Sequence, residues 1–244
     1  MRLASVLQTA LRLVYPPTCL TCDALVEADH GLCGTCWGAT PFIGASVCGL
    51  CGAPLPGDHV AAGDLCDDCL TTERPWDAGR AALVYRDNAR RLVLGLKHGD
   101  RMDIARPASL WMAGAAGDML HPGMLVAPIP LHWRRRIRRR YNQSVLLGRG
   151  VAGRTGLPFC PDLLQRNRPT PVLDGKSPDE RFRALHDAVT VNPRRAGRVA
   201  GGSVLLIDDV MTSGATLTAA TGALKRAGAA SVSVLTLARA VKGA

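Results

Sequence analysis

The 244-residue sequence predicts an α/β fold, a mainly parallel sheet flanked by helices, preceded by a cysteine module stapled by metal. Three observations predict it. Short runs rich in Val, Leu and Ile alternate with helical stretches from residue 78 onward, the pattern of strands covered on both faces. Eight of the nine cysteines fall in Cys-x-x-Cys pairs within 19–69. Finally, a buried strand near the C-terminal end runs into two adjacent acids and a hydroxyl-rich turn that opens a helix.

Along the chain, Leu3, Val6, Leu7, Ala10, Leu11 and Val14 recur at helical spacing before Pro16 and Pro17. This predicts an amphipathic docking helix over 1–18 rather than an export signal, which would carry a continuous apolar core. No apolar run approaches the ~20 residues of a membrane span. A cytoplasmic protein is therefore expected.

The four pairs are Cys19/Cys22, Cys33/Cys36, Cys48/Cys51 and Cys66/Cys69, separated by 10, 11 and 14 residues. A two-residue gap turns both thiolates toward one ion, and two pairs complete a tetrahedral sulfur shell. Two structural Zn²⁺ ions are expected over 19–70. Sequential pairing (first with second, third with fourth) is the simplest arrangement, and a cross-braced one also satisfies the spacing. Disulfides would need an oxidising compartment, and a redox Cys-x-x-Cys usually occurs once, beside a βαβ unit. Iron–sulfur ligation is the remaining competitor. Cys160 stands alone among apolar residues as a buried thiol.

The segment 71–77 (TTERPWD) reads as a polar linker closing the module. Beyond it, strands are expected over 81–85, 124–129, 188–191, 203–207 and 232–237, and helices over 88–96, 104–118, 142–155 and 215–227. Charge divides along the chain. Residues 1–79 hold three Arg against nine acids, whereas 80–244 hold 27 Lys and Arg against 11 acids, a net +16 suited to phosphate-bearing partners. Aromatic content of 4% leaves little for base stacking.

The most informative run is VLLIDDVMTSGAT over 204–216. Ligands of open α/β sheets sit beyond the carboxyl ends of strands. There Thr212, Ser213, Gly214, Ala215 and Thr216 offer hydroxyls and helix N-terminal N–H groups to an anion. Asp208 and Asp209 would repel phosphate, so they suit sugar hydroxyls, a metal or a developing cation. Upstream, Pro128 and Pro130 stiffen a loop followed by six arginines in the seven positions 134–140. Such a run repels itself unless an anion or solvent screens it, so it suits the phosphates of a small ligand or of nucleic acid, with a solvated basic loop as the plain alternative.

The run over 204–216 closely resembles the phosphoribosyl-pyrophosphate motif of class I phosphoribosyltransferases. With the cysteine module, the loop over 128–132 and RRYNQ over 139–143, the chain resembles the ComF family over nearly its whole length. LKHGDR over 96–101 is similar to that family's Leu-Lys-aromatic-Gly-Gly segment. The resemblance implies a double zinc ribbon and a type I phosphoribosyltransferase fold over 78–244. It implies that Met211 and residues 212–216, with Asp208, Asp209, Pro130 and Arg134, bind phosphoribosyl pyrophosphate carrying Mg²⁺. Asp208, Asp209 and Arg139 would then serve catalysis. It also implies a role in DNA uptake during natural transformation, with single-stranded DNA and the uptake machinery as partners. The chain departs from the family at Arg140, where many relatives have Gly, and at Leu173 and Ala184, where Gln and Asn are frequent. Three functions are compatible: a phosphoribosyltransferase, a non-catalytic single-stranded-DNA accessory protein, and a ligand-gated regulator.

Overall fold

The computed structural model describes residues 15–57, 61, 63–98, 100–131, 141–166 and 189–241. Most of the expected N-terminal helix, together with Arg134, Arg139, Arg140, Leu173 and Ala184, lies outside the described residues.

Four parallel strands form the central sheet in the order β1–β6–β5–β2. They are β1 (Ala78–Val84), β2 (Leu125–Pro128), β5 (Ser203–Met211) and β6 (Ser231–Arg239). A small antiparallel pair, β3 (Leu164–Arg166) with β4 (Val189–Val191), stands apart. The expected strand over 188–191 thus belongs to this pair, and its three-residue partner was not expected. The helices that cover the sheet are α3 (Asp87–His98), α4 (Ala105–Ala116), α5 (Gln143–Thr155) and α6 (Ala215–Arg226).

Alternation along β5 divides the core. Leu205 and Ile207 pack with residues of α3, α4 and α5, such as Leu92, Met112 and Leu147. Val204 and Leu206 pack on the other face with Leu217 and Leu224 of α6 and with Cys48, Cys51 and Cys69. Period-2 alternation in a strand buried on both faces accounts for the run of apolar residues. Strand β5 extends four residues beyond the expected 203–207 and includes Asp208 and Asp209. Its pairing with β6 continues to Met211↔Arg239. Among the described residues no helix is long and apolar enough to cross a membrane.

The cysteine module repeats one local architecture. A tight hairpin closed by a single bridge, Thr18↔Leu25 or Val47↔Pro54, carries the first Cys pair of each set. A five-residue helix follows, α1 (Gly34–Gly38) or α2 (Asp67–Thr71), with Cys33 or Cys66 at its N-cap. The module also shields the sheet edge. Ile43 donates to Ala82 O (3.0 Å), and Val84 donates to Pro41 O (2.9 Å), so residues 41–43 satisfy the outer side of β1. Trp37, Phe42 and Trp111 stack between α1 and α4, with ring centroids 4.5–6.4 Å apart.

At Gly79 the module and sheet meet backbone to backbone. Its N–H donates to Gly49 O (2.9 Å), and a Cβ there would collide with the Leu50 carbonyl. Forcing a methyl into such a contact costs about 1–3 kcal/mol. Gly79→Ala is expected to lower the thermal midpoint by about 5 °C. Gly114→Ala, in the exposed interior of α4 with nothing within 4 Å, is expected to leave the midpoint unchanged or raise it. Differential scanning calorimetry of both variants makes the comparison.

Candidate metal centres and phosphate site

The cysteines gather into two sets, Cys19/Cys22/Cys33/Cys36 and Cys48/Cys51/Cys66/Cys69, with the Sγ atoms of each set within 4.8 Å of one another. This is the sequential pairing, not the cross-braced one. Cys22 and Cys33 Sγ atoms are 3.7 Å apart, and those of Cys51 and Cys66 are 3.5 Å apart. A tetrahedral ion with ~2.3 Å metal–sulfur bonds places its sulfurs about 3.8 Å apart. The spacing therefore fits Zn²⁺, and all nine cysteines are free of disulfides.

Without a cation the thiols of one set cannot ionise together. Hydrogen bonds from Cys51 and Cys69 hold Cys48 well below the ordinary thiol range, and donating to Cys48 makes Cys69 keep its proton and pushes it up. A divalent ion removes this conflict by making all four thiolates ligands. The two centres differ in exposure. Cys48, Cys51 and Cys69 are buried within the main core, whereas Cys22 of the first centre is exposed and Cys33 and Cys36 are half-buried. Cys160 is buried, and burial raises its thiol.

The second site is the end of β5. Asp209 is buried, and its Oδ1 lies 2.8 Å from Lys97 Nζ, which the last turn of α3 supplies. The Asp208 Oδ1 accepts from Ser144 Oγ (3.1 Å), at the start of α5, and from Asp209 N (2.9 Å). Burial, and then the Asp209 charge, push Asp208 up to about 7, against the opposing pull of Lys97 and these hydrogen bonds. Lys97 is held in place through its neighbour. The Leu96 carbonyl accepts from Tyr141 Oη (2.8 Å) and from Gln143 Nε2 (3.2 Å), the latter fully buried.

The loop before α5 is tied to the same place. Asn142 caps α5 by accepting from Ser144 N (3.0 Å), and its Nδ2 donates to Ile129 O (3.1 Å). Ile129 N in turn donates to Ile207 O (2.9 Å), which seats Pro130 beside the acid doublet. Of the expected site, Asp208, Asp209, Pro130, Met211 and residues 212–216 therefore come together at one strand end.

After Met211 the chain turns through Gly214, whose φ of +81° is the left-handed conformation at the N-cap of α6. The carbonyls of this turn are pulled to one side. Arg239 Nη1 donates to Thr212 O (2.7 Å), and Arg74 Nη1 donates to Ser213 O (2.6 Å). In a planar trans peptide the C=O and the following N–H point in opposite directions. The N–H groups of Ser213 and Gly214 consequently face away from the arginines, on the side opened by the first turn of α6. Lys97, Ser144, Arg74 and Arg239 were not read as site residues from the sequence. For Lys97 a signal existed in the LKHGDR segment, whereas Arg74 lay in what reads as a linker.

A zinc-ribbon module joined to an α/β domain with an acid doublet and a phosphate-type loop defines a protein of the phosphoribosyltransferase-domain class. Residues 10–70 match the double zinc ribbon domain, and residues 141–244 match the phosphoribosyl transferase domain. The chain is 31% identical to the DNA utilization protein YhgH of Salmonella typhi over 234 residues, covering 93% of this chain and 99% of that one. It is 29% identical to Competence protein F of Haemophilus influenzae over 232 residues, covering 91% and 96%. The chain belongs to this ComF family. Among solved structures, glutamine phosphoribosylpyrophosphate (PRPP) amidotransferase from B. subtilis, complexed with ADP and GMP, is similar at 20% identity and a TM-score of 0.40. That likeness covers 58% of this chain and 30% of the other.

The exposures of the two cysteine sets order their lability. Elemental analysis is expected to give two zinc ions per chain. A chromogenic chelator is expected to strip the Cys19/Cys22/Cys33/Cys36 centre first, leaving a slow phase for the core centre. Cys22→Ser should abolish the fast phase and spare the slow one.

Proposed function

We propose that this chain binds phosphoribosyl pyrophosphate, carrying Mg²⁺, at the end of β5 and uses that site in handling DNA taken up by the cell. The observation that carries the reading is the acid doublet beside Lys97, followed at once by a loop whose carbonyls are drawn away from its open side.

In this reading the N–H groups and hydroxyls of 212–216 hold the ribose 5′-phosphate, with Met211 and Ala215 fixing the two ends of the loop. Asp208 and Asp209 accept from the ribose 2′- and 3′-hydroxyls and oppose the positive charge that develops at C1′. Lys97 would stabilise the charge of the departing pyrophosphate, a role that the sequence also assigns to Arg134 and Arg139. Among the described residues the groups spaced to hold a metal are the two cysteine sets alone, so the Mg²⁺ would arrive on the pyrophosphate rather than in a cage of side chains. Bound there, it would supply charge neutralisation to the leaving group.

The relatives named for DNA utilization and competence, and the net +16 of residues 80–244, favour a second activity on the same domain: contact with single-stranded DNA through the arginines at 134–140. Replacing Arg134, Arg135, Arg138 and Arg139 by Ala is expected to weaken oligonucleotide binding. It should also flatten the log–log salt dependence by about 3, at ~0.7 per lost phosphate contact. Fluorescence anisotropy across a salt series reads both, and an unchanged slope would remove this segment as the contact.

Calorimetric titration with phosphoribosyl pyrophosphate and Mg²⁺ tests the first reading. Hydroxyl donors favour the ionised form of Asp208, which is up at about 7 in the free protein. Affinity is therefore expected to rise about tenfold between pH 6 and pH 8, with proton uptake by buffer accompanying binding below pH 7. Asp208→Asn should bind weakly and lose the pH dependence. A wild-type protein that binds neither the ligand nor ribose 5-phosphate at any pH would sink the proposal.

A further inference from the structure

Arg74 and Arg239 are both buried, at 8% and 1% exposure, in a place where an unpaired guanidinium would be costly. Toward the phosphate loop, Arg74 donates to Ser213 O, and Arg239 donates to Thr212 O, Met211 O and Ala240 O. On their other side stands the core cysteine set. Arg239 Nη2 pairs with Asp68 Oδ2 (3.3 Å), which lies between Cys66 and Cys69 in the chain. The Nε atoms of both arginines are buried without an acceptor among the described residues. A tetrathiolate zinc centre is formally dianionic, so two guanidiniums balance it. Trp76 completes the bridge. Arg74 stacks 5.5 Å from its ring centre, and Trp76 Nε1 donates to Leu50 O (2.6 Å) between Cys48 and Cys51. Gly214 rests directly on the pair, since a Cβ there would lie 2.8 Å from Arg74 Nη1 and 3.0 Å from Trp76 Cη2.

We infer that Arg74 and Arg239 are positioning residues that lock the 212–214 peptides to the Cys48/Cys51/Cys66/Cys69 centre, so that zinc there and a phosphoribosyl ligand at the loop bind cooperatively. Neither arginine touches the ligand. Each orients peptide planes, and its own position depends on the charge of the metal–thiolate group behind it. Because coupling between two bound species is reciprocal, the ligand must tighten the core zinc by the same factor as the zinc tightens the ligand, which is read here as slower loss of zinc to a chelator. The coupling rests on the binding reading above, whereas the locking of the loop does not.

The test uses the zinc-loaded full-length chain as Cys22→Ser, in which the chelator assay reads the core centre alone. Saturating phosphoribosyl pyrophosphate with Mg²⁺ is expected to slow zinc release about tenfold, and Arg74→Met is expected to erase that protection. Arg74→Lys, which keeps charge but not the fork, should restore it in part. Amide hydrogen exchange supplies the arm without ligand: in zinc-loaded Arg74→Met the amides of 212–216 should exchange faster than in wild type, while those of β5 and β6 remain protected. Ligand binding seen by calorimetry with no change in zinc release would overturn the coupling and leave the binding reading intact. Absent ligand binding, unchanged exchange at 212–216 would overturn the locking as well. Should Arg74→Met fail to fold, Arg239→Lys is compared with wild type in both assays.

Discussion

Pairing between β5 and β6 decides where every group of the site stands. The pairing keeps one register from Ser203↔Ser231 to Met211↔Arg239, so the acid doublet lies within the strand rather than beyond its end. Two adjacent carboxylates at the end of a buried strand are tolerable only with compensation. Lys97 meets one, and Ser144 with a backbone N–H meets the other. The same pairing sets Arg239 beside the turn that follows. A shift of one residue along the ladder would turn each side chain to the opposite face of the sheet and dismantle both arrangements.

Much of this was legible because it is local. Four Cys-x-x-Cys pairs announce metal ligation by spacing alone, and the run over 204–216 announces a strand that leads into a hydroxyl-rich turn and a helix. What escaped is non-local. Asp208 and Asp209 read as the stop of a strand, since isolated carboxylates rarely sit in one, and only the partners from α3 and α5 explain why β5 continues. The segment 71–77 has the composition of a linker. Yet Trp76 is buried in the core, and Arg74 finds its acceptor 139 residues away, a distance over which no sequence window extends. The hairpin-and-helix repeat of the two cysteine units was read only as repeated pairs, although Ala24, Asp29 and His30 after Cys22 recur as Ala53, Asp58 and His59 after Cys51.

The two metal centres are alike in ligands and unlike in surroundings. One is held by a partly open knuckle and an aromatic stack against α4. The other is continuous with the apolar core that includes Leu217 and Leu224 of α6. Identical first coordination spheres therefore carry different structural duties. The outer centre organises a peripheral turn, and the inner one occupies space that a hydrophobic cluster would otherwise fill.

The seam at Gly79 has a bearing on how such a chain can be assembled or rearranged. Main chain lies against main chain there, residues 41–43 complete the edge of β1, and Trp76 is sunk between the two parts. Excising either half would strip polar backbone groups of their partners and lay bare apolar area that neither half can rebury. Recombination with a foreign partner would have to carry the seam along.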